Sequence, residues 1–460
     1  MAEATDVSKP GGGAAPPSVV PPSVEDLTAY FRSGAKPVSA FRVGIEQEKI
    51  AVRDDGSAVP YEGPTGIAEI LRRLEARGFA PRFEGDHLLS LDRVGDRITV
   101  EPGGQLELSG AAVPTANEGA EMLRAHVAEV GAVAAALGVR FIGIGARPFG
   151  TLDDVSWLPK RRYGIMRAYF PAHGRQSRLA HHMMKMTATV QANFDYLDEA
   201  DALSKLRAAF GVTSIVTALF AASPISEGRP NGHQSFRAAI WLETDEDRSG
   251  LLPFVYAPSF SFRDYVEWAL DVPMFFVVRQ GDYRRPASPL TFRRFLAEGF
   301  EGQAATLGDW ETHLSTLFPE VRLKRYIEVR GADAGPLPMA AALGALWRGL
   351  LEDPEARAAV WGLVADHSFD EREALRRAVP REGLGARFGR HGLKELAAEL
   401  VAVSRAGLAR LPGGAGDTHL LAPLEARAAS GRTAADDLLD DFAAERGDPA
   451  KLVRRWQLVP

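Results

Sequence analysis

Residues 41–50 alternate polar and apolar positions as a strand does. Successive strand side chains point to opposite faces, so Glu46 and Glu48 share one face and Val43 and Ile45 the other. Residues 97–101 and 105–109 alternate in the same way on either side of Pro102-Gly103-Gly104, a turn or kink, with Glu101 and Glu107 on the polar side. From 186 to 196, Thr187, Thr189, Gln191, Asn193 and Asp195 fall on one face, opposite Ala188, Val190, Ala192, Phe194 and Tyr196. That face is either wet or the lining of a polar binding groove, for which Thr189, Gln191 and Asn193 are the substrate-binding candidates. Residues 324–330 read as one more strand, placing Tyr326, Glu328 and Arg330 together and Ile327 and Val329 opposite.

Helical periodicity separates these runs. A short helix is predicted over 23–33, with Glu25 and Asp26 in its first turn, and another over 66–78, where Ile67, Ile70, Leu71 and Leu74 recur on one side. Residues 118–137 form a strong helix stopped by Gly138, and a strand leaves it over 139–145. A helix over 199–220 precedes a loop of turn formers at 223–233. Beyond Pro336 the pattern becomes helical: 339–351, 355–366, 370–377, 392–411, 422–429 and 433–446. Alternating strands segregated from helices predict an α+β fold with a mainly antiparallel sheet, rather than a parallel doubly wound one. The expected organisation is a flexible tail over 1–24, carrying Gly11-Gly12-Gly13 and Pro16, Pro17, Pro21 and Pro22, a sheet-rich catalytic portion over 25–335, and a helical portion over 336–460 packed on the sheet.

Composition narrows the chemistry. The 460 residues are 46% apolar and 25% charged, an ordinary globular balance for one elaborated domain or two. A net charge of −6 offers no general attraction to nucleic acid or an anionic membrane. The chain contains no cysteine, which excludes disulfides, zinc-thiolate sites, iron–sulfur clusters and thiol nucleophiles. No apolar run stands out as a membrane span, and the N-terminus has neither a signal-peptide pattern nor an arginine-rich amphipathic helix, so a cytoplasmic protein acting on small molecules is expected. There is no Walker A motif. The run from Gly143 to Gly150 follows a strand but holds Pro148 and opens no helix, so it is a poor dinucleotide loop. His181-His182 lacks the spacing of a zinc-binding helix and reads as a core or loop pair.

Five carboxylates, Glu46, Glu48, Glu101, Glu107 and Glu328, therefore carry the argument. Each lies on the polar face of a strand in one of three regions of the chain. If those strands share one curled sheet, its concave side collects charge that is costly to leave unpaired. Hard cations bound through oxygen resolve that cost, and Mg2+ is held by a few carboxylates together with substrate phosphates. The pattern alone leaves a solvated sheet face as the alternative.

The stretches Val43-Gly-Ile-Glu-Gln-Glu-Lys49, Val100-Glu-Pro-Gly-Gly-Gln-Leu-Glu-Leu-Ser-Gly110, Met186-Thr-Ala-Thr-Val-Gln-Ala-Asn193, Arg229-Pro-Asn-Gly232 and residues 310–333 resemble plant-type glutamate–cysteine ligases. The resemblance extends with gaps from about residue 27 to about 450. It implies a glutamine-synthetase-like carboxylate–amine ligase whose active site is a curled antiparallel sheet forming an open funnel. It implies ligation of L-glutamate to L-cysteine with ATP as co-substrate, giving γ-glutamylcysteine, the first step of glutathione synthesis. It further implies two or three Mg2+ ions held by the same five glutamates. Arg167 and Arg237 would be glutamate or phosphate contacts, and Arg330 would face the transferred phosphoryl group.

Plant-type relatives carry regulatory cysteines, one pair of which would fall near Ala287 and Gly302. This chain has none, so a monomer or a homodimer without disulfides is expected. Three other readings remain open: a different amine acceptor, a catalytically inactive binding relative, and nucleic-acid binding through Arg322-Leu-Lys-Arg325.

Overall fold

The computed structural model describes residues 21–460, so most of the predicted N-terminal tail lies outside the described residues. Among the described residues the central feature is a nine-stranded antiparallel sheet that does not close into a barrel. Its strands are β1 (Val43–Arg53), β2 (Ala80–Glu84), β3 (His87–Arg93), β4 (Asp96–Val100), β5 (Leu106–Ser109), β6 (Val139–Ile142), β7 (Thr189–Phe194), β8 (Val321–Leu323) and β9 (Ile327–Asp333). Their order is β8-β9-β7-β1-β5-β4-β3-β2, with β6 paired to the C-terminal half of β1. β1 is thus the strand on which the sheet turns, paired with β7 over 43–47, β5 over 46–49 and β6 over 50–53.

Burial along β1 follows the predicted alternation. Val43, Ile45, Gln47 and Lys49 are buried against helices, while Glu46 and Glu48 are partly exposed on the other face. The apolar face is covered by α3 (Ala116–Ala135), α6 (Glu199–Leu219) and α8 (Leu337–Leu351), all contributing to one hydrophobic core. The outer elements used below are α1 (Val24–Arg32), α2 (Ile67–Glu75), α4 (Arg161–His173), α5 (Ala180–Met186) and α7 (Phe236–Trp241).

Local chemistry explains several boundaries. Ser23 and Asp26 form a capping box at α1, in which the Ser23 hydroxyl accepts from the Asp26 amide at 3.2 Å and the Asp26 carboxylate accepts from the Ser23 amide at 2.8 Å. In α2 the predicted apolar stripe Ile67, Ile70, Leu71 and Leu74 is fully buried. Gly104, at φ 82°, makes the turn between β4 and β5 that a residue with a β-carbon would resist. The segment beyond α8 is tied to the N-terminus of α3 by a long-range cap. Asp417, fully buried, accepts from the Ala116 and Asn117 amides at 3.0 and 2.9 Å and pairs with Arg348 of α8.

Two predicted strands differ in the structure. Residues 324–330 are not one strand; 324–326 form the turn of a hairpin whose arms are β8 and β9, which sets Arg322 directly opposite Glu328. The strand predicted from 186 begins later, because Met186 completes α5 and Thr187 bridges to Ala146 before β7 starts. The structure adds β2, β3, α4 and a last helix at Pro449–Trp456 to the predicted elements. Against the expectation that no apolar run has the length of a membrane span, α6, at 21 residues, is long and apolar enough to cross a membrane. With 83% of its apolar window buried inside the fold, α6 has the character of a core helix. The segment after β6 opens no helix until α4, so Gly143–Gly150 lacks the strand-to-helix turn that a dinucleotide loop requires.

Candidate active site

On the polar face of the sheet, Glu48 of β1 stands directly opposite Glu107 of β5. Like charges in that position repel across a few ångströms. Glu48 accepts one hydrogen bond, from the Thr189 amide at 3.0 Å, and Glu107 accepts one from the Thr99 hydroxyl. Glu101, held in the β4–β5 turn, accepts from the Tyr163 hydroxyl at 3.2 Å. Glu46 lies opposite Gln191 of β7 and accepts from the Asn193 side-chain amide at 2.9 Å. Glu328 lies opposite Asn193 on the other flank of β7. The sheet therefore carries the five predicted glutamates on one surface.

Their electrostatics divide them. Burial, reinforced by Glu107 and Glu101, pushes the Glu48 carboxyl well above the usual range; Arg237 and the Thr189 amide oppose it only partly. Glu107 is pushed up to about 8 by burial and by Glu101 and Glu46. Glu46 is raised by burial and by Glu328. Burial would also raise Glu328, but Arg322, Lys324 and Arg330 outweigh it and hold that carboxyl well below the ordinary carboxylate range. Arg322 grips Glu328 through two parallel bonds of 2.6 and 2.9 Å, Arg330 donates at 2.9 Å, and Lys324 stands 3.7 Å away.

A cavity of about 120 Å3 opens beside this surface. Of the predicted site residues, Glu48, Glu101, Thr189, Arg237 and Arg330 line it; Glu46, Glu107, Gln191, Asn193 and Glu328 sit next to it in the sheet. Arg330 donates to the Gln191 side-chain oxygen at 2.8 Å as well as to Glu328. Arg237, on α7, donates to the Arg330 carbonyl at 2.8 Å. Arg167 does not line the cavity. It is exposed and its guanidinium stacks over Trp157 at 4.9 Å. Five residues earlier on α4 and on a different face, Arg162 does line it, as do Tyr163, Trp241, Phe318 and the methionines Met166, Met183 and Met184. None of these is among the site residues expected from the sequence. Arg162 and Arg167 lie on the same helix, and only the facing of that helix separates them.

The donor set suits a hard cation. Glu46, Glu48 and Glu107 are largely buried carboxylates without a strong cationic partner, and the Asn193 side-chain oxygen beside Glu46 is buried with no hydrogen-bond donor. Among the described residues no three acidic or histidine side chains converge as a ready-made cage. The donors are present instead as neighbouring pairs on adjacent strands, an arrangement that leaves coordination positions for substrate oxygens and water.

A family model described as glutamate-cysteine ligase family 2 matches residues 42–455. The chain belongs to this family. It is 42% identical over 432 residues to the chloroplastic glutamate–cysteine ligase of Arabidopsis thaliana, covering 92% of this chain and 80% of that one. It is 41% identical over 430 residues to chloroplastic glutamate–cysteine ligase B of Oryza sativa subsp. japonica, covering 91% and 84%. Glutamate–cysteine ligase from Francisella tularensis, solved in complex with AMP, superposes with a TM-score of 0.57 at 14% identity over 90% of this chain and 87% of that one, a likeness of fold. Membership makes the chain an enzyme of the ligase class. The comparisons overturn the expectation of a cytoplasmic protein: the curated relatives at about 42% identity are named as chloroplastic enzymes.

Proposed function

We propose that this ligase joins the γ-carboxylate of L-glutamate to the amino group of L-cysteine at the expense of ATP, giving γ-glutamylcysteine, ADP and phosphate. The observation that carries the reading is a cavity, in a chain of this family, bounded by the carboxylates Glu48 and Glu101 on one side and by Arg237 and Arg330 on the other. Anionic substrates approach the arginines; cations that accompany ATP suit the carboxylates. Glu46, Glu48, Glu101 and Glu107 would hold Mg2+, with Glu328 at the edge of the group because its charge is already balanced within the chain. When bound, Mg2+ supplies charge neutralisation on the phosphates of ATP.

A carboxylate does not react with an amine at neutral pH because oxide would have to leave. In the proposed sequence a γ-carboxylate oxygen of glutamate attacks the γ-phosphorus of ATP and the bond to ADP breaks. The cysteine nitrogen then attacks the resulting acyl phosphate, phosphate leaves, and the nitrogen loses its proton. Arg330, held at one nitrogen by Gln191 and Glu328, offers the rest of its guanidinium to charge developing on the transferred group. Arg237 is held against the Arg330 carbonyl and lies 3.9 Å from Asp333, so its position is set before substrate arrives. No protein nucleophile is required, consistent with a chain that lacks cysteine.

Purified protein supplied with glutamate, ATP and Mg2+ should release ADP in a cysteine-dependent manner, with γ-glutamylcysteine formed one-to-one by mass spectrometry. Equal or better product formation with another amino acid would replace cysteine as the acceptor. Binding of ATP without ADP release under these conditions would favour an inactive relative. The nucleic-acid reading has no support in the geometry, since Arg322 and Lys324 pair with Glu328 and Arg325 with Glu311.

A further inference from the structure

β9 does not run evenly along β7. Val329 faces Ala192 and Ala332 faces Val190, so Arg330 and Gly331 together oppose the single residue Gln191. This is a β-bulge, which re-aims side chains and shifts the facing of every residue after it. Before the bulge, Glu328 and Arg330 face the polar surface, where Arg330 reaches Glu328 and Gln191. After it, Asp333 accepts from the Ala222 amide at 2.9 Å and from the Ser223 and Ser235 hydroxyls at 2.6 and 2.8 Å, beside Arg237. The Arg330 carbonyl, released from the ladder, accepts from Arg237. One inserted residue thus orders both arginines of the cavity.

Contact with α6 fixes the depth of that bulge. A β-carbon on Gly331 would come within 2.8 Å of the Thr217 hydroxyl oxygen and 2.9 Å of the Thr213 hydroxyl oxygen. Both threonines are buried, and the Thr217 hydroxyl is committed to the Thr213 carbonyl at 3.0 Å. Branched side chains in a helix have few alternative rotamers. A β-carbon there forces either β9 to lift from α6, carrying Arg330 with it, or the threonines to leave these rotamers, and the bond of the Thr217 hydroxyl opposes the second.

We propose that Gly331 is a positioning residue for the ligation: its missing side chain lets the bulge seat on Thr213 and Thr217, and that seat sets how far Arg330 reaches into the cavity. The inference rests on the reading above that Arg330 meets the transferred phosphoryl group. Gly331→Ala should lower kcat by about 10- to 100-fold, the scale expected for sub-ångström to 1 Å misplacement, while KM for ATP and glutamate changes by less than about 3-fold. Removing the two hydroxyls should restore the seat, so Gly331→Ala/Thr213→Ala/Thr217→Ala should recover to within about 3-fold of the Thr213→Ala/Thr217→Ala control. Wild-type kcat in Gly331→Ala would overturn the proposal, and so would a kcat loss that the threonine changes do not rescue. If Gly331→Ala alone fails to fold, the triple variant decides: control-like kcat supports the seat, and a folded but slow enzyme overturns it. Arg330→Ala, measured in parallel, separates the two levels. A silent Arg330→Ala removes the underlying reading; a slow Arg330→Ala beside a silent Gly331→Ala removes only the role of Gly331.

Discussion

The two flanks of β7 solve the same problem in opposite ways. On one flank, Glu48 and Glu107 face each other across a ladder, neither has a close cationic partner, and burial drives both carboxyls up. On the other, Glu328 is at least as deeply buried but is held low by three cations from the β8–β9 hairpin. Burial therefore does not decide whether these carboxylates carry charge; their neighbours do. The first flank has charge that something from outside must balance, and the second is complete within the chain.

The sharpest way to break this contrast is to unbalance the complete flank. Arg322→Ala removes the two-pronged partner of a buried carboxylate and should destabilise the metal-free protein by about 3–5 kcal/mol in urea denaturation. A loss below about 1 kcal/mol would mean that Glu328 does not depend on its own cations.

On the incomplete flank the large effect should fall on activity. Glu48→Gln keeps the shape but removes a donor charge, and kcat/KM for ADP release should fall on the order of 10²- to 10³-fold. Mg2+ at 100 times its Kd should stabilise the wild type by about 2.7 kcal/mol, and that increment should vanish in Glu48→Gln and Glu107→Gln while surviving in Lys324→Met. Glu107→Gln without Mg2+ should be neutral or stabilising by up to about 1 kcal/mol, because it removes a buried carboxyl whose ionisation opposite Glu48 is disfavoured. Marked destabilisation of the metal-free Glu107→Gln protein would place the two flanks in one class.

The polar face of β1 was legible in the sequence because a period of two is local: Glu46 and Glu48 share a side whatever the strand pairs with. So were α2, whose stripe repeats within nine residues, and the antiparallel class. What was illegible depended on pairing. Residues 324–326 continue the alternation and contain no glycine, proline or asparagine, so nothing local announces a hairpin there. Without the hairpin Arg322 looks like part of a solvated basic run; with it, Arg322 lies across from Glu328 and is buried. The β9 bulge is likewise invisible, being a mismatch between two strands far apart in sequence. The choice between Arg162 and Arg167 required the facing of α4, a helix with almost no apolar periodicity to orient it.

The smallest predicted effect tests how much of the balance at Glu328 is redundant. Lys324 stands 3.7 Å from the carboxylate, beyond good hydrogen-bond distance, and its ammonium donates instead to the Tyr326 hydroxyl at 3.1 Å. It is also the most exposed of the three cations at that site. Its attraction is therefore screened by water in a way that the Arg322 fork is not. Lys324→Met, which keeps most of the side-chain volume, should cost no more than about 1 kcal/mol in urea denaturation. Combined with Arg322→Ala, however, it should cost more than the sum of the two single changes, because each cation matters most when the other is gone. Strict additivity would mean that Lys324 and Arg322 act on different groups, and the claim that three cations jointly balance Glu328 would have to be reduced to the two arginines.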